Sequence, residues 1–289
     1  MKREKTGFTL VELLTVLAII ALLVSLLIPS LTLIRNTAKE AKQKSQLTQI
    51  GLALTAFRTD YGDYPPSSWM DPPPNPGPMD YCGAQKLAEA LLGRDLLGFH
   101  PKSNWLVADN TFYPLPPIPP QNLDERKGPY LELATTNVFK LGDLYGPALA
   151  ASALSAYPNT FVICDSFGVK KVTIAPGQTA KAGTPILYYR ANTASKTITA
   201  PSAPFQRIYN VMDNVPLIDQ LQSVEENIAD VKDHPLGDPA AMYQNFYNYI
   251  RDPKVAANPW PYRPDSYLLI SAGSDGLYGT RDDICNFGN

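Results

Sequence analysis

Two short stretches of this chain hold residue types whose spacing could do chemistry. Near the amino terminus Gly7 meets Phe8 at the edge of a charged leader, and Glu12 follows inside an otherwise apolar run. A lone carboxylate there is costly unless a positive charge answers it, because neither lipid nor a hydrophobic core solvates it. Near the other end, Ser266-Tyr267-Leu268-Leu269-Ile270-Ser271-Ala272 reads as a strand that enters a glycine-broken loop carrying Asp275, Asp282 and Asp283. Calcium takes six to eight oxygens, and aspartate side chains mixed with freed backbone carbonyls can supply them. The spacing is not that of an EF-hand. The other reading of the loop is a metal-free Asx turn, its aspartates accepting from nearby amides.

Other chemistries find no support in the residues. The chain has two histidines, His100 and His234, and neither belongs to an HExxH pair. No GxSxG elbow and no GxxxxGK[ST] phosphate loop occurs. Asp165, Asp219 and Asp230 read as turn and helix-surface residues, so no catalytic residue is assigned and the chain is not read as an enzyme. Cys82, Cys164 and Cys285 lie far apart with no CxxC pair, which argues against a zinc ribbon or a dithiol site. If the body of the protein is exported, one disulfide and one leftover thiol is the simplest count. A net charge of −2 gives no reason to expect a nucleic-acid partner. The 28 prolines imply many stiff loops, while 45% hydrophobic residues are enough for a core.

The elements that must position these residues come next. From Leu13 to Ile28 every residue is apolar except Thr15 and Ser25. Phe8 to Pro29 would make a helix of about 33 Å, the thickness of a bilayer's hydrocarbon core. A buried soluble helix and a cleaved secretory signal are the competing readings. The run is long for the first and lacks a small-residue cleavage site for the second. Positive charge flanks both sides, with Lys2, Arg3 and Lys5 before and Arg35, Lys39, Lys42 and Lys44 after. Beyond Pro29, which could kink or locally melt the helix, Leu47, Ile50, Leu54, Phe57 and Tyr61 recur at helical spacing and define a core-facing stripe. Leu31, Ile34, Ala38 and Ala41 form a weaker stripe, and Arg35, Lys39, Glu40 and Lys42 a solvated face. The helix is predicted to end before Tyr61-Gly62-Asp63-Tyr64-Pro65-Pro66.

Gly7-Phe8-Thr9-Leu10-Val11-Glu12-Leu13-Leu14 resembles the processing signature of type IV prepilins and type II secretion pseudopilins. The resemblance implies cleavage between Gly7 and Phe8 by a prepilin peptidase, and methylation of the new terminal Phe8. In that family the glutamate matched by Glu12 pairs with the terminal ammonium of a neighbouring subunit, so Glu12 and Phe8 become assembly residues. The competing reading is that Glu12 snorkels to the headgroups. Gly51-Leu52-Ala53-Leu54, Phe57, Asp60-Tyr61-Gly62 and Tyr64-Pro65 are similar to the major pseudopilin of type II secretion. The carboxy-terminal loop resembles that protein's calcium loop. The matching positions are the Asp275 and Asp283 side chains and the Ala272 carbonyl, with Asp282 a possible substitute. Cys285 departs from the pattern, standing where the family places a serine or threonine hydroxyl.

The implied fold is α+β and type IV pilin-like: a long amino-terminal helix, its first half transmembrane, packed on a head with a small antiparallel sheet. The implied layout is a leader over 1–7, the helix over 8–60 with a span near 8–29, and a periplasmic head over 61–289. In the head, Ala84 to Leu92 reads as a helix. Thr160 to Cys164, Val169 to Ile174 and Pro185 to Arg190 read as strands, and Leu217 to Val231 and Pro239 to Ile250 as helices. Proline-rich loops fall at Pro65 to Pro78 and Pro114 to Pro120. The implied function is a structural subunit of a type II secretion pseudopilus, a helical filament for protein export. Its partners would be other pilin subunits, the peptidase and an inner-membrane assembly platform. The alternative is a pilus subunit, major or minor, with an adhesive head.

Overall fold

The computed structural model describes residues 9–68, 82–105, 111–114, 118–146, 149, 154, 158–168, 170–198, 207–219, 234–255 and 259–288, without the side chains of 26, 29, 30, 32 and 33. Helix α1 runs Leu10–Tyr61, without a break at Pro29. Its start is set locally. Thr9 N and Oγ1 donate to Glu12 Oε2 at 2.9 and 2.7 Å, and Glu12 N donates back to Thr9 Oγ1 at 3.2 Å. This reciprocal box satisfies amides that the first turn leaves without partners. At the far end the Gly62 N–H closes on the Arg58 carbonyl at 2.8 Å, and the prolines that follow stop the helix.

The chain divides into two compact units, Met1–Ala41 and Lys42–Asn289. In the first, apolar side chains point outward on every side: Leu14, Leu17, Ile20 and Leu23 are each at least half exposed. Leu31 and Ile34, the weaker stripe, are exposed as well. Among the described residues no helix is long and apolar enough to cross a membrane. The described side chains run unbroken only from Leu10 to Ser25, about 24 Å at the usual rise.

The second unit is an α+β head. Its helices are α2 (Gly83–Leu92), α3 (Leu141–Tyr145) and α4 (Met242–Ile250). Its strands are β1 (Val138–Lys140), β2 (Phe161–Ile163), β3 (Lys170–Ala175), β4 (Gln178–Ala182), β5 (Leu187–Arg190), β6 (Tyr267–Ser271) and β7 (Ile284–Cys285). They form three small sheets, β1-β2, β3-β4 and β5-β6-β7, all antiparallel. The β5–β6 pair, in register Leu187↔Ile270 to Arg190↔Tyr267, is the centre of the head.

Strand alternation explains why that pair reads as a continuous apolar run. Tyr188, Tyr267 and Leu269 face Leu47, Ile50, Leu54 and Phe57 of α1 and Leu87 and Leu91 of α2. Leu187, Tyr189, Leu268 and Ile270 face the other way, into a core with Leu141, Phe246, Ile250 and Tyr278. A sheet buried on both faces needs apolar residues at both parities.

The predicted stripe of α1 is therefore buried in the head, and Arg35, Lys39, Glu40 and Lys42 are exposed. Two polar residues extend the stripe. Gln43 Oε1 accepts from Ser166 N at 2.8 Å, and Gln46 Nε2 donates to the Cys164 carbonyl at 2.9 Å. Of the predicted helix 217–231, residues up to 219 are helical and the rest lie outside the described residues. Most of the first proline-rich loop also lies outside them, as do residues 115–117 of the second.

The expected disulfide is absent. Cys82, Cys164 and Cys285 are all free thiols. They sit on different elements: Cys82 at the start of α2, Cys164 just after β2, and Cys285 in β7. Burial pushes the Cys82 and Cys285 thiols up to about 12, so they behave as small apolar residues and not as nucleophiles.

Candidate functional sites

Gly7 and Phe8 lie outside the described residues. What the structure adds at this end is the local role of Glu12. Its carboxylate closes the capping box with Thr9, and the surrounding leucines and valines of α1 offer it no cation. Thr15 and Ser25, the polar residues of the apolar run, spend their hydroxyls on the Glu12 and Leu22 carbonyls at 3.0 and 2.7 Å. The helix thus hides every polar group in this stretch except one carboxylate.

The carboxy-terminal loop is built between β6 and β7. Gly273 must be glycine: its φ is +67°, and a Cβ would come within 2.2 Å of the Asp282 carbonyl. That close approach brings both limbs of the loop together and sets Asp282 at its centre. Asp282 Oδ2 accepts from Ser274 N at 2.7 Å, Ser274 Oγ at 3.0 Å and Asp275 N at 2.9 Å, and Oδ1 accepts from Thr280 Oγ1 at 2.6 Å. Partial burial works against its charge, yet these donors hold Asp282 down to about 2. Asp275 Oδ1 accepts from Leu277 N at 2.8 Å, the Asx turn that the loop sequence allows. Burial raises the Asp275 carboxyl, and the neighbouring Asp282 charge adds to the shift.

Asp283 faces inward. Its Oδ2 accepts from Tyr249 Oη at 2.5 Å and Gly279 N at 2.8 Å, and the same tyrosine oxygen lies 3.1 Å from Cys285 Sγ. Burial pushes Asp283 up to about 7, and the two donors only partly offset it.

As they stand, these carboxylates are engaged by donors of the protein itself. Amide and hydroxyl hydrogens point at the oxygens a cation would need, and Cys285 keeps its proton. Ala272 is buried behind the loop. Among the described residues no three His, Cys, Asp or Glu side chains form a group that could hold a metal. Protease cleavage at the loop should therefore be the same with calcium and with chelator. Calcium-dependent protection would show that the loop exchanges its amide donors for the ion.

The pH dependence of the head should carry the signature of Asp283. Its folded carboxyl titrates near 7 against an ordinary 3.8, so the native state holds the proton more tightly than the unfolded chain. The contribution is fully present below the ordinary value and is lost as pH rises through about 7. Asp283→Asn should leave stability near pH 4 unchanged and raise it near pH 8, by about 1–3 kcal/mol. Urea unfolding at the two pH values checks this, and equal curves at pH 8 would refute it.

Among the other titratable residues, His100 and His234 are fully buried and serve the backbone. His100 Nδ1 accepts from Lys102 N at 3.2 Å and His234 Nδ1 from Tyr278 N at 3.1 Å. Asp165 is in the turn predicted for it but is fully buried. Its Oδ1 accepts from Phe167 N at 3.1 Å and its Oδ2 from Ser271 Oγ at 3.4 Å. Its burial was not legible in the sequence, since a D-S-F-G turn carries no mark of it. Asp219 is exposed, and Asp230 lies outside the described residues.

Residues 2–28 match the family model described as the prokaryotic N-terminal methylation motif. No curated protein and no solved structure matches the chain. The motif, joined to a long amino-terminal helix on an α+β head, supports a type IV pilin-like protein. It indicates a structural subunit processed by prepilin peptidase and assembled with other pilin subunits.

Proposed function

We propose that this chain is a subunit of a type II secretion pseudopilus, and that the first part of α1 spans the inner membrane with the head in the periplasm. The observation that carries the reading is the amino-terminal segment itself. It is a methylation motif opening a helix whose apolar side chains face outward on every side and whose one carboxylate has no cation partner among the described residues. A helix apolar all round must be surrounded, either by lipid or by other helices. Both surroundings occur in turn in this proposal: lipid before assembly, neighbouring α1 helices after it. Cleavage after Gly7 would create an ammonium on Phe8, and Glu12 of the next subunit would receive it. Two opposite charges packed among apolar helices offset each other's desolvation and fix axial register.

The similarity of residues 51–65 to the major pseudopilin favours secretion over surface adhesion. Energy for assembly would come from an ATPase elsewhere, and an inner-membrane platform would feed subunits into the filament.

Amino-terminal sequencing and intact-mass measurement of protein recovered from membranes test the reading. The expected product begins at Phe8 and carries one added methyl group. A mature chain that still begins at Met1 would overturn it. Loss of protein export on deletion, with surface filaments unchanged, would separate pseudopilus from pilus.

A further inference from the structure

A cavity of about 790 Å³ lies in the head, beside the end of α4 and the carboxy-terminal segment. That is within the range of small-ligand sites, roughly 300–1,000 Å³. Its walls combine three kinds of group. Tyr249, Tyr262 and Phe287 form an aromatic corner, with Phe287 5.9 Å from Tyr249 at 89° and 5.4 Å from Tyr262 at 36°. Arg251 and Arg281 bring two guanidinium groups. Asn248 and Thr280 add an amide and a hydroxyl.

The two arginines are the charged groups of interest. Elsewhere in the head Arg263 is held by Ser266 Oγ, the Asn286 carbonyl and the Tyr267 ring, while three arginines meet carboxylates: Arg94 with Glu89, Arg126 with Asp95 and Arg190 with Asp63. Among the described residues neither Arg251 nor Arg281 has such a partner, and Arg251 Nε is buried with no hydrogen bond at all. A buried donor without a partner is costly. Asp283 lines the same cavity, but its described bonds go to Tyr249, Gly279 and Thr280. Among the described residues nothing supplies an anionic partner to either guanidinium.

Aromatic faces beside the two guanidinium groups suit a ring carrying C–H groups. The Asn248 amide can donate to ligand hydroxyls, and the Thr280 oxygen, whose proton goes to Asp282, can accept from them. A bound peptide would instead draw on backbone partners along a strand edge. We propose that the cavity binds an acidic saccharide, its carboxylate held by Arg251 and Arg281 and its ring laid against Tyr262 and Phe287. This goes beyond the filament reading and does not depend on it.

Calorimetric titration of the full-length protein, in a detergent without a sugar headgroup, tests the proposal with trigalacturonate, maltotriose and a hexaglutamate peptide. Trigalacturonate should bind, with maltotriose and hexaglutamate each about tenfold weaker or worse. Arg251→Gln and Arg281→Gln should each weaken trigalacturonate about tenfold. Arg281 is exposed, so its variant is expected to fold, and thermal melting confirms this for both. Failure of trigalacturonate to bind at millimolar concentration would overturn the proposal. So would equal binding of maltotriose, equal binding of hexaglutamate, or an Arg281→Gln variant that binds as well as the parent. None of these outcomes touches amino-terminal processing, which tests the filament reading separately.

Discussion

A Glu12→Gln chain is expected to reach the membrane, lose its leader and stay out of filaments. The choice of glutamine separates two jobs of this side chain. The structure shows Glu12 closing a capping box with Thr9, and glutamine serves that box nearly as well. Helix start and membrane insertion should therefore survive. What glutamine cannot do is neutralise an ammonium. In the proposed filament the terminal amine of each Phe8 would then be packed among apolar helices with no countercharge, which is the expensive case for a buried ion. Incorporation should fall on the order of a hundredfold. Glu12→Ala should fall as far, although it also loses the cap. The readout is the ratio of protein in sheared filaments to protein in membranes. If Glu12→Gln assembles like the parent while Glu12→Ala does not, the residue acts as a helix cap and the charge-pairing mechanism is wrong.

Legibility in the sequence followed the physics of each element. The α1 stripe was readable because every turn from Leu47 to Tyr61 repeats one apolar face, and β5 and β6 because both of their faces are buried. Strand β4 was not, since Gln178-Thr179-Ala180-Lys181-Ala182 lies mostly in solvent and carries no apolar alternation. Its existence rests on pairing with β3 across the Gly177 turn. Gln43 and Gln46 were not singled out, because the stripe was traced through apolar residues alone. Each stands four residues before a stripe residue, Gln43 before Leu47 and Gln46 before Ile50, which continues the stripe and could have placed them at the core. At the sites, the Gly7-Phe8-Glu12 spacing carried the class of protein by itself. The loop at Asp275 to Asp283 was legible only as two alternatives. Direction of side-chain bonding decides between a cage and an Asx turn, and composition does not encode it. The cavity beside α4 was invisible, because Arg251, Tyr262 and Arg281 come from separate stretches that only the fold brings together.

The largest loss of stability should follow from breaking one clamp deep in the head. Helix α2 is buried along its whole length, so its amino-terminal amides cannot turn to water. One of them, Ala84 N, donates to Asn214 Oδ1 at 2.9 Å, and Asn214 Nδ2 donates to the Tyr188 carbonyl at 2.8 Å. A single fully buried asparagine thus ties α2, β5 and the segment before Val215 together. Gly83 makes the geometry possible: a Cβ there would fall 2.3 Å from the Tyr188 carbonyl and 3.2 Å from the Asn214 side chain. The Tyr188 carbonyl is strand backbone and cannot yield without moving the helix off the sheet. Asn214→Ala leaves a buried donor and a buried acceptor with one partner fewer and should cost about 2–4 kcal/mol. Gly83→Ala should cost about 3 kcal/mol through forced displacement. Because both changes open the same clamp, the double variant should lose clearly less than the sum. Urea unfolding of the full-length protein, followed by tryptophan fluorescence, measures all three. Additive losses, or a Gly83→Ala chain as stable as the parent, would mean that α2 is held by its apolar contacts with α1 and β2 and that the polar clamp contributes little.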